Sequence, residues 1–169
     1  MTERRATASG RPPEREDGST PTAEKLSDGQ YRDHWVLSEE DRAKGFIGPC
    51  RKTYVHVGAQ GPRYTLTEIT EDERGGLPDR SWKFYEAYPD SELPKRGKYW
   101  TDDELKRVGA GCGSVTSMPL PIAETYAVNP HFYGSTYCAA CQAYFPVGEQ
   151  GEFVWEGTNQ RVGTVRKHD

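Results

Sequence analysis

The sequence predicts a small, irregular α+β domain built from short helices and β-hairpins, and three observations lead to this prediction. Hydrophobic residues make up 34% of the 169 residues, and 18 Gly and 12 Pro break up the chain, which disfavours long regular elements. The large apolar side chains are mainly aromatic, with 4 Trp, 10 Tyr and 5 Phe against 2 Met, so we expect an aromatic core. Helix caps and strand-like alternation recur at short intervals, which favours a few short helices and roughly three to five strands.

Four segments carry the signals of short helices: residues 39–44, 67–74, 102–108 and 117–130. Ser38 is a predicted N-cap for the first helix, and Gly45 ends it. Thr101 and Glu104 have the spacing of a capping box, and Gly109 follows the end of that helix. These caps predict where each helix begins and ends, because they satisfy backbone groups that have no partner inside the helix.

Strand signals are found in four further segments. Residues 52–57 are β-branched and aromatic, and residues 81–89 alternate in polarity. Near the C-terminus, residues 137–147 and 152–157 both resemble strands, and the sequence GEQG lies between them. We therefore predict that the last two segments form a β-hairpin with each other.

The first 30 residues differ in composition from the remainder of the chain. Leu26 is their one sizeable apolar residue apart from Met1, and Pro, Gly, Ser and Thr alternate with charged residues. Such a segment buries too little apolar surface to offset the entropy lost on ordering. We therefore predict a disordered tail over residues 1–30 and a single domain over residues 31–169.

Charge and hydropathy exclude several kinds of protein. The net charge of −4 disfavours general electrostatic binding of nucleic acid, and no stretch approaches ~18 consecutive apolar residues, so we expect no membrane association. The N-terminus lacks the apolar region of a secretory signal. We therefore expect a protein of the reducing cytoplasm, where cysteines are thiols or metal ligands and rarely form disulfides.

Cys138 and Cys141 form a C-x2-C pair, which is the most informative motif in the chain. This spacing allows two thiolates to bind one metal ion from a tight turn. A thioredoxin-like redox pair would need a helix after the motif, whereas Pro146 and Gly148 follow it. Two ordinary buried thiols are the other alternative. We favour a metal site.

A tetrahedral zinc site requires two more nitrogen or sulfur ligands. Cys112, which lies in the glycine-rich sequence GAGCGS, is the predicted third ligand. The fourth ligand is either His56, in a predicted strand, or Cys50, after a Gly-Pro turn, and composition does not distinguish them. The remaining histidines are weaker candidates: His34, His131 and His168. The fold is thus predicted to be organised around a zinc-ribbon or treble-clef-like site that binds Zn²⁺.

Three stretches of the chain resemble a family of uncharacterised proteins encoded by tailed bacteriophages and prophages. They are HWVLSEEDRAKGFIGPCRKTYVHVG, YEAYPDSELPKRGKYWTDDELKRVGAGCGSVTSM and IAETYAVNPHFYGSTYCAACQAYFPVGEQGEFVWEGTNQRVGT, and together they span about residues 34–164. The resemblance implies zinc binding through the C-x2-C pair and Cys112, and it favours His56 over Cys50. It also implies the cytoplasm of a bacterial host, or association with the virion, but no particular reaction.

The function that we predict is that of a non-enzymatic phage accessory protein whose zinc-stabilised domain binds a host or virion protein. The alternatives are a zinc-dependent hydrolase or nuclease and a nucleic-acid-binding zinc ribbon. Glu124 and Glu152 are the candidate general bases of an enzyme, but no catalytic motif accompanies them, so we assign no catalytic residue. Lys95, Arg96 and Lys98 are the candidate contacts to nucleic acid, but acidic residues follow directly.

Overall fold

A computed structural model describes residues 5–12, 14–61, 66–75, 77, 82–86 and 99–165, with the backbone alone described for 82–86. The chain divides into two compact units. Unit 1 consists of Met1–Val57 and Cys112–Asp169, and unit 2 consists of Gly58–Gly111. This division does not show whether the units unfold together, so the single domain predicted over residues 31–169 stays a prediction.

The described residues contain ten short strands and four short helices. The strands are β1 (Arg5–Thr7), β2 (Trp35–Leu37), β3 (Thr53–His56), β4 (Leu66–Glu68), β5 (Trp82–Glu86), β6 (Tyr99–Thr101), β7 (Val115–Ser117), β8 (Ser135–Cys138), β9 (Ala143–Pro146) and β10 (Phe153–Trp155). The helices are α1 (Glu39–Arg42), α2 (Glu71–Gly75), α3 (Asp102–Lys106) and α4 (Leu120–Val128). The α+β class is therefore confirmed, although the chain has more strands than we predicted because most of them are only three or four residues long.

All of the sheets are small and antiparallel within the described residues. In unit 1, β3 lies between β10 and β7, while β8 pairs with β9 and β1 pairs with β2. In unit 2, β5 lies between β4 and β6. None of the helices in the described part of the chain has the length and apolarity that a membrane span requires.

The predicted helix caps of α1 and α3 are confirmed. The Ser38 side chain accepts a hydrogen bond from the backbone N–H of Asp41 (3.2 Å). The Thr101 side chain accepts one from the backbone of Glu104 (3.1 Å), and the Glu104 carboxylate accepts one from the backbone of Thr101 (2.9 Å). The cap residues thus determine both helix starts locally, which is why the sequence predicts them well.

Two of the predicted elements are wrong. The helix expected over residues 67–74 begins only at Glu71, because Leu66–Glu68 are strand β4 and pair with β5. The C-terminal hairpin is also different: β9 pairs with β8, while β10 pairs with β3 across the sheet. The C-x2-C turn connects β8 directly to β9, so this pairing is local. The pairing of β10 with the distant β3 has no signal in the residues between neighbouring strands.

Strand β1 lies inside the segment that we predicted to be a disordered tail. Ala6 is opposite Val36 in the antiparallel pairing of β1 with β2, and Thr7 is buried. Asp33 accepts a hydrogen bond from the backbone N–H of Ser9 (3.1 Å). The structure therefore shows an ordered contact for part of this segment, while its mobility in solution stays a prediction.

The core of unit 1 is rich in aromatic side chains, as the composition predicts. It lies between the sheet β10–β3–β7 and helix α4. The rings of Tyr54 and Phe153 meet edge to face at 5.3 Å, and those of Tyr126 and Trp155 at 5.6 Å. Such pairs stabilise a fold by about 0.5–1.5 kcal/mol beyond their buried area. Cys138, a predicted metal ligand, belongs to this core cluster.

Unit 2 begins and ends in chain segments that lie side by side. The Ala59 N–H donates to the carbonyl of Arg107 (3.0 Å), and the Gly109 N–H donates to the carbonyl of Ala59 (3.1 Å). Gly58 has a φ of +86°, and a Cβ there would lie 2.4 Å from the backbone nitrogen of Ala110, so this position requires glycine. The chain therefore leaves unit 1 and re-enters it through adjacent segments.

Candidate metal centre

Four side chains of unit 1 bring their donor atoms together. One ligand atom each from His56, Cys112, Cys138 and Cys141 lies within 4.8 Å of the others. The Sγ atoms of Cys112 and Cys138 are 3.4 Å apart, and Cys141 Sγ is 3.5 Å from His56 Nδ1. Ligands of a tetrahedral ion with bonds of ~2.0–2.3 Å are about 3.5–3.8 Å apart. The cluster can therefore hold a metal ion.

The C-x2-C pair lies in the turn between β8 and β9. The backbone N–H of Gln142 donates to the carbonyl of Cys138 (2.8 Å), which curls the turn around the two sulfurs. Among the described residues, Gln142 is the one non-glycine residue with a positive φ, at 55°. The Ala139 N–H donates to Thr116 Oγ1 (3.2 Å), which connects the turn to β7. A turn inside a hairpin excludes the strand–helix setting of a thioredoxin-like pair.

Cys112 is held next to the end of β3 by two backbone hydrogen bonds. The Gly113 N–H donates to the carbonyl of His56 (2.8 Å), and the His56 N–H donates to the carbonyl of Ser114 (3.2 Å). A further hydrogen bond from the backbone of Ser114 is the main cause that lowers the pKa of the Cys112 thiol to about 6. The Cys112 side chain is exposed to solvent. This ligand is therefore both positioned and readily ionised.

Cys141 shows the opposite pKa shift. Local desolvation and the neighbouring thiols of Cys112 and Cys138 raise the pKa of Cys141 to about 11. Desolvation disfavours the charged thiolate, and neighbouring sulfurs this close add repulsion between negative charges. A bound cation removes this repulsion and deprotonates its thiol ligands. The three thiols thus form a site whose charge a metal ion would complement.

The His56 ring is fixed from three sides. It stacks between Phe145, with a centroid distance of 4.4 Å, and Phe153, at 4.9 Å. Its Nε2 lies 3.0 Å from Oε1 of Glu152, and both side chains are buried, with 3% of His56 and 4% of Glu152 exposed. A carboxylate accepts hydrogen bonds, so the contact places the Nε2–H on Glu152 and leaves Nδ1 as the ring nitrogen that faces Cys141.

Cys50, the alternative fourth ligand, does not belong to the described cluster. It is half-buried and packs against the core of unit 1. Burial, with a smaller effect of Glu124, raises the pKa of its thiol. His34 contacts the hydroxyl of Tyr144 (2.9 Å), and His131 is exposed. Neither histidine joins the cluster, and His168 lies outside the described residues.

The two glutamates that were candidate general bases both have ionic or hydrogen-bonding partners. Glu124 forms an ion pair with Arg42 (Oε1–Nη1 2.9 Å), and Glu152 holds His56. Glu152 lies next to His56 because the following residue, Phe153, is opposite His56 in the β10–β3 pairing. That pairing is not local, so the sequence contains no signal for it. The basic residues Lys95, Arg96 and Lys98 lie outside the described residues.

Comparisons of this chain with protein-family models, with curated proteins and with solved structures find no match. The resemblance to phage-encoded proteins therefore stays a prediction. The functional conclusions rest on the chemistry of the cluster itself.

Proposed function

We propose that this chain is a non-enzymatic protein-interaction module whose fold is held together by one structural zinc ion. The observation that carries the proposal is the set of four donor atoms within 4.8 Å of one another, which is the number of ligands that a structural zinc ion requires. His56, Cys112, Cys138 and Cys141 supply those atoms.

The donor types support zinc over other metals. Three thiolates and one imidazole are soft and borderline ligands, which suit zinc and disfavour magnesium or calcium. The hydrogen bond from His56 to Glu152 supports the assignment, because zinc-bound histidines commonly donate their second ring N–H to a carboxylate. The ion would be held by Nδ1 of His56 and the three sulfurs.

A structural role is supported by the elements that the ligands connect. His56 ends β3, Cys112 begins the chain's return to unit 1, and Cys138 and Cys141 lie in the β8–β9 turn. A hairpin with strands of four residues is not stable on its own. One ion would link all three segments and close a loop that contains the whole of unit 2. Its binding free energy would then contribute directly to folding.

Metal-centred catalysis is less well supported than a structural role. A catalytic zinc keeps one coordination position for water or substrate, whereas this ligand set is complete. Thiolate ligands also reduce the Lewis acidity of the ion. The candidate bases Glu124 and Glu152 already pair with Arg42 and His56. A structural ion is therefore the function that fits the observed contacts.

A protein partner is supported by apolar side chains that face solvent in unit 1. Phe46 is 46% exposed and the adjacent Ile47 is 63% exposed. Large apolar and aromatic side chains of this kind contribute strongly to binding when a partner covers them. The resemblance to phage-encoded proteins makes a host or virion protein the expected partner.

Two measurements on the purified full-length chain test the structural zinc. Elemental analysis of protein produced without added metal should find one zinc per chain. A strong chelator should then lower the melting temperature of the wild type and of Cys50→Ser alike, because Cys50 is outside the cluster. A metal-free protein, or an unchanged melting temperature after zinc is removed, would falsify the proposal.

The interaction is tested by capture experiments from host lysate and from virions. We expect a protein that the wild type and Leu120→Ser retain, and that a Phe46→Ser/Ile47→Ser variant loses. Leu120 is the matched control because it is also exposed, at 51%. Tight, salt-resistant binding of nucleic acid, or hydrolysis that depends on bound zinc, would instead support one of the alternative functions.

A further inference from the structure

The ligand cluster combines one buried and two accessible sulfurs. Cys112 and Cys141 are exposed, whereas Cys138 is fully buried in the core. Cys112 Sγ and Cys138 Sγ are 3.4 Å apart. A disulfide requires an S–S distance of ~2.0 Å, so an approach of about 1.4 Å would join them. An oxidant from solvent can therefore reach one sulfur that already touches a second.

We infer that the metal centre is a peroxide-sensitive switch, in which oxidation joins Cys112 to Cys138 and expels the metal ion. The inference rests on the proposed metal site. It concerns the regulation of that site, and the oxidant it requires is hydrogen peroxide or an organic hydroperoxide.

The chemistry takes place in two steps. The exposed sulfur of Cys112 attacks the terminal oxygen of the peroxide, the O–O bond breaks, and Cys112 becomes a sulfenic acid as hydroxide, or the alkoxide of an organic hydroperoxide, leaves. The sulfur of Cys138 then attacks the Cys112 sulfur, an S–S bond forms, and hydroxide leaves. Two thiolates and one hydrogen peroxide thus give one disulfide and two hydroxides, which become water after protonation. With an organic hydroperoxide, the products are one disulfide, one alkoxide and one hydroxide, which become an alcohol and water. The peroxide is reduced by the two electrons that the sulfurs lose.

The metal leaves because oxidation removes half of its ligands. A disulfide sulfur is a poor ligand for zinc, since the thiolate is the form that binds. His56 and Cys141 remain, and two ligands do not hold a structural ion against solvent. The hairpin keeps other anchors, because the Tyr54 hydroxyl donates to the carbonyl of Tyr137 and Ala139 donates to Thr116. Oxidation should therefore loosen the C-x2-C turn without unfolding unit 1.

Two structural features make Cys112–Cys138 the expected pair. Their sulfurs are in contact, and the new bond would connect the Cys112 turn to β8 in the same place where the metal connects them. Cys141 Sγ also lies within 4.8 Å of both sulfurs, but the contact of 3.4 Å is the one between Cys112 and Cys138, and Cys141 Sγ lies 3.5 Å from Nδ1 of His56. Cys50 is half-buried outside the cluster, so Cys50→Ser removes the remaining thiol without touching the site.

The experiment uses full-length, zinc-loaded Cys50→Ser protein, whose zinc content is first measured by elemental analysis. Hydrogen peroxide is added in increments while a chromogenic chelator reports released zinc. We expect one zinc released per peroxide consumed, the mass loss of two hydrogen atoms, and a Cys112–Cys138 peptide after digestion. A dithiol reductant with added zinc should restore the original metal content. Wild-type protein should release zinc in the same proportion.

The possible results distinguish a failure of the proposed metal site from a failure of the proposed switch. If the reduced protein contains no zinc, the proposed metal site fails before any oxidant is added. If zinc is present but stays bound while peroxide is in excess, the switch is refuted and the metal site stands. Zinc release with a disulfide that contains Cys141, or with sulfonic acids and no disulfide, also refutes the switch. A circular dichroism spectrum of the oxidised protein should remain that of a folded chain. An unfolded spectrum would mean that zinc is released by unfolding and would refute the switch.

Discussion

Replacing Glu152 tests how the protein holds His56, the proposed metal ligand. The carboxylate accepts a hydrogen bond of 3.0 Å from His56 Nε2, and both side chains are almost fully buried. Glu152→Gln keeps an oxygen at this position but removes its charge. Glu152→Ala leaves the buried Nε2–H without its carboxylate partner. The two variants therefore separate the effect of charge from the effect of the hydrogen bond.

The expected magnitude follows from the burial of this pair. Loss of a partner behind a metal-binding histidine typically weakens metal affinity about 10–100-fold, which is about 1.4–2.7 kcal/mol. For Glu152→Gln we expect a loss of zinc affinity of about 10-fold, because the amide oxygen of Gln still accepts the hydrogen bond. We expect the upper end for Glu152→Ala, because an unsatisfied buried donor adds to the loss.

Competition with a chelator of known affinity measures the zinc Kd of each variant. Glu149→Gln is the matched control, because Glu149 is an exposed carboxylate in the same connection before β10. Its Kd should equal that of the wild type. If Glu152→Ala binds zinc as tightly as the wild type, or if Glu149→Gln weakens binding equally, the orienting role of Glu152 is wrong.

Three further predictions concern the fourth ligand, the core and the N-terminal segment. His56→Ala should lose zinc whereas Cys50→Ser should keep it, as elemental analysis would show; the reverse result makes Cys50 the ligand. Burial raises the pKa of Tyr54 from 10.0 to about 12, so its contribution to stability is complete below pH 10 and is lost as the pH rises through 12. Between pH 10 and 12, the free energy of unfolding measured in urea should fall less steeply for Tyr54→Phe than for the wild type. If both proteins lose stability equally over this range, the raised pKa of Tyr54 is wrong. Limited proteolysis should cut residues 1–30 before any other segment if their composition governs their mobility, and initial cleavage elsewhere would show that the β1–β2 contact protects them.

Local signals account for the helix starts that the sequence predicts correctly and for the turns that carry the clustered cysteines. Ser38 and Thr101 cap helices through their own side chains, so neighbouring residues are enough to locate both helix starts. The C-x2-C pair needs only a turn, and Cys112 has flanking glycines that permit one. Each of these features is encoded within a few residues of chain.

The remaining features depend on contacts between distant segments. The β10–β3–β7 sheet places His56 beside the three cysteines of the cluster, whereas Cys50 packs against the core. Glu152 becomes the partner of His56 only because β10 crosses over to pair with β3. No periodicity or motif in a single sequence records such a pairing. The role of Glu152 is therefore determined by its burial and its hydrogen bond to His56. Its residue type alone does not indicate that role.

X-ray absorption spectroscopy at the zinc edge tests the central claim most directly, because it reports the atoms bound to the ion. We predict three sulfur ligands at ~2.3 Å and one imidazole nitrogen at ~2.0–2.1 Å in the full-length protein. That result would match the cluster of His56, Cys112, Cys138 and Cys141. A shell of four sulfurs, or a shell with oxygen from water, would contradict the account.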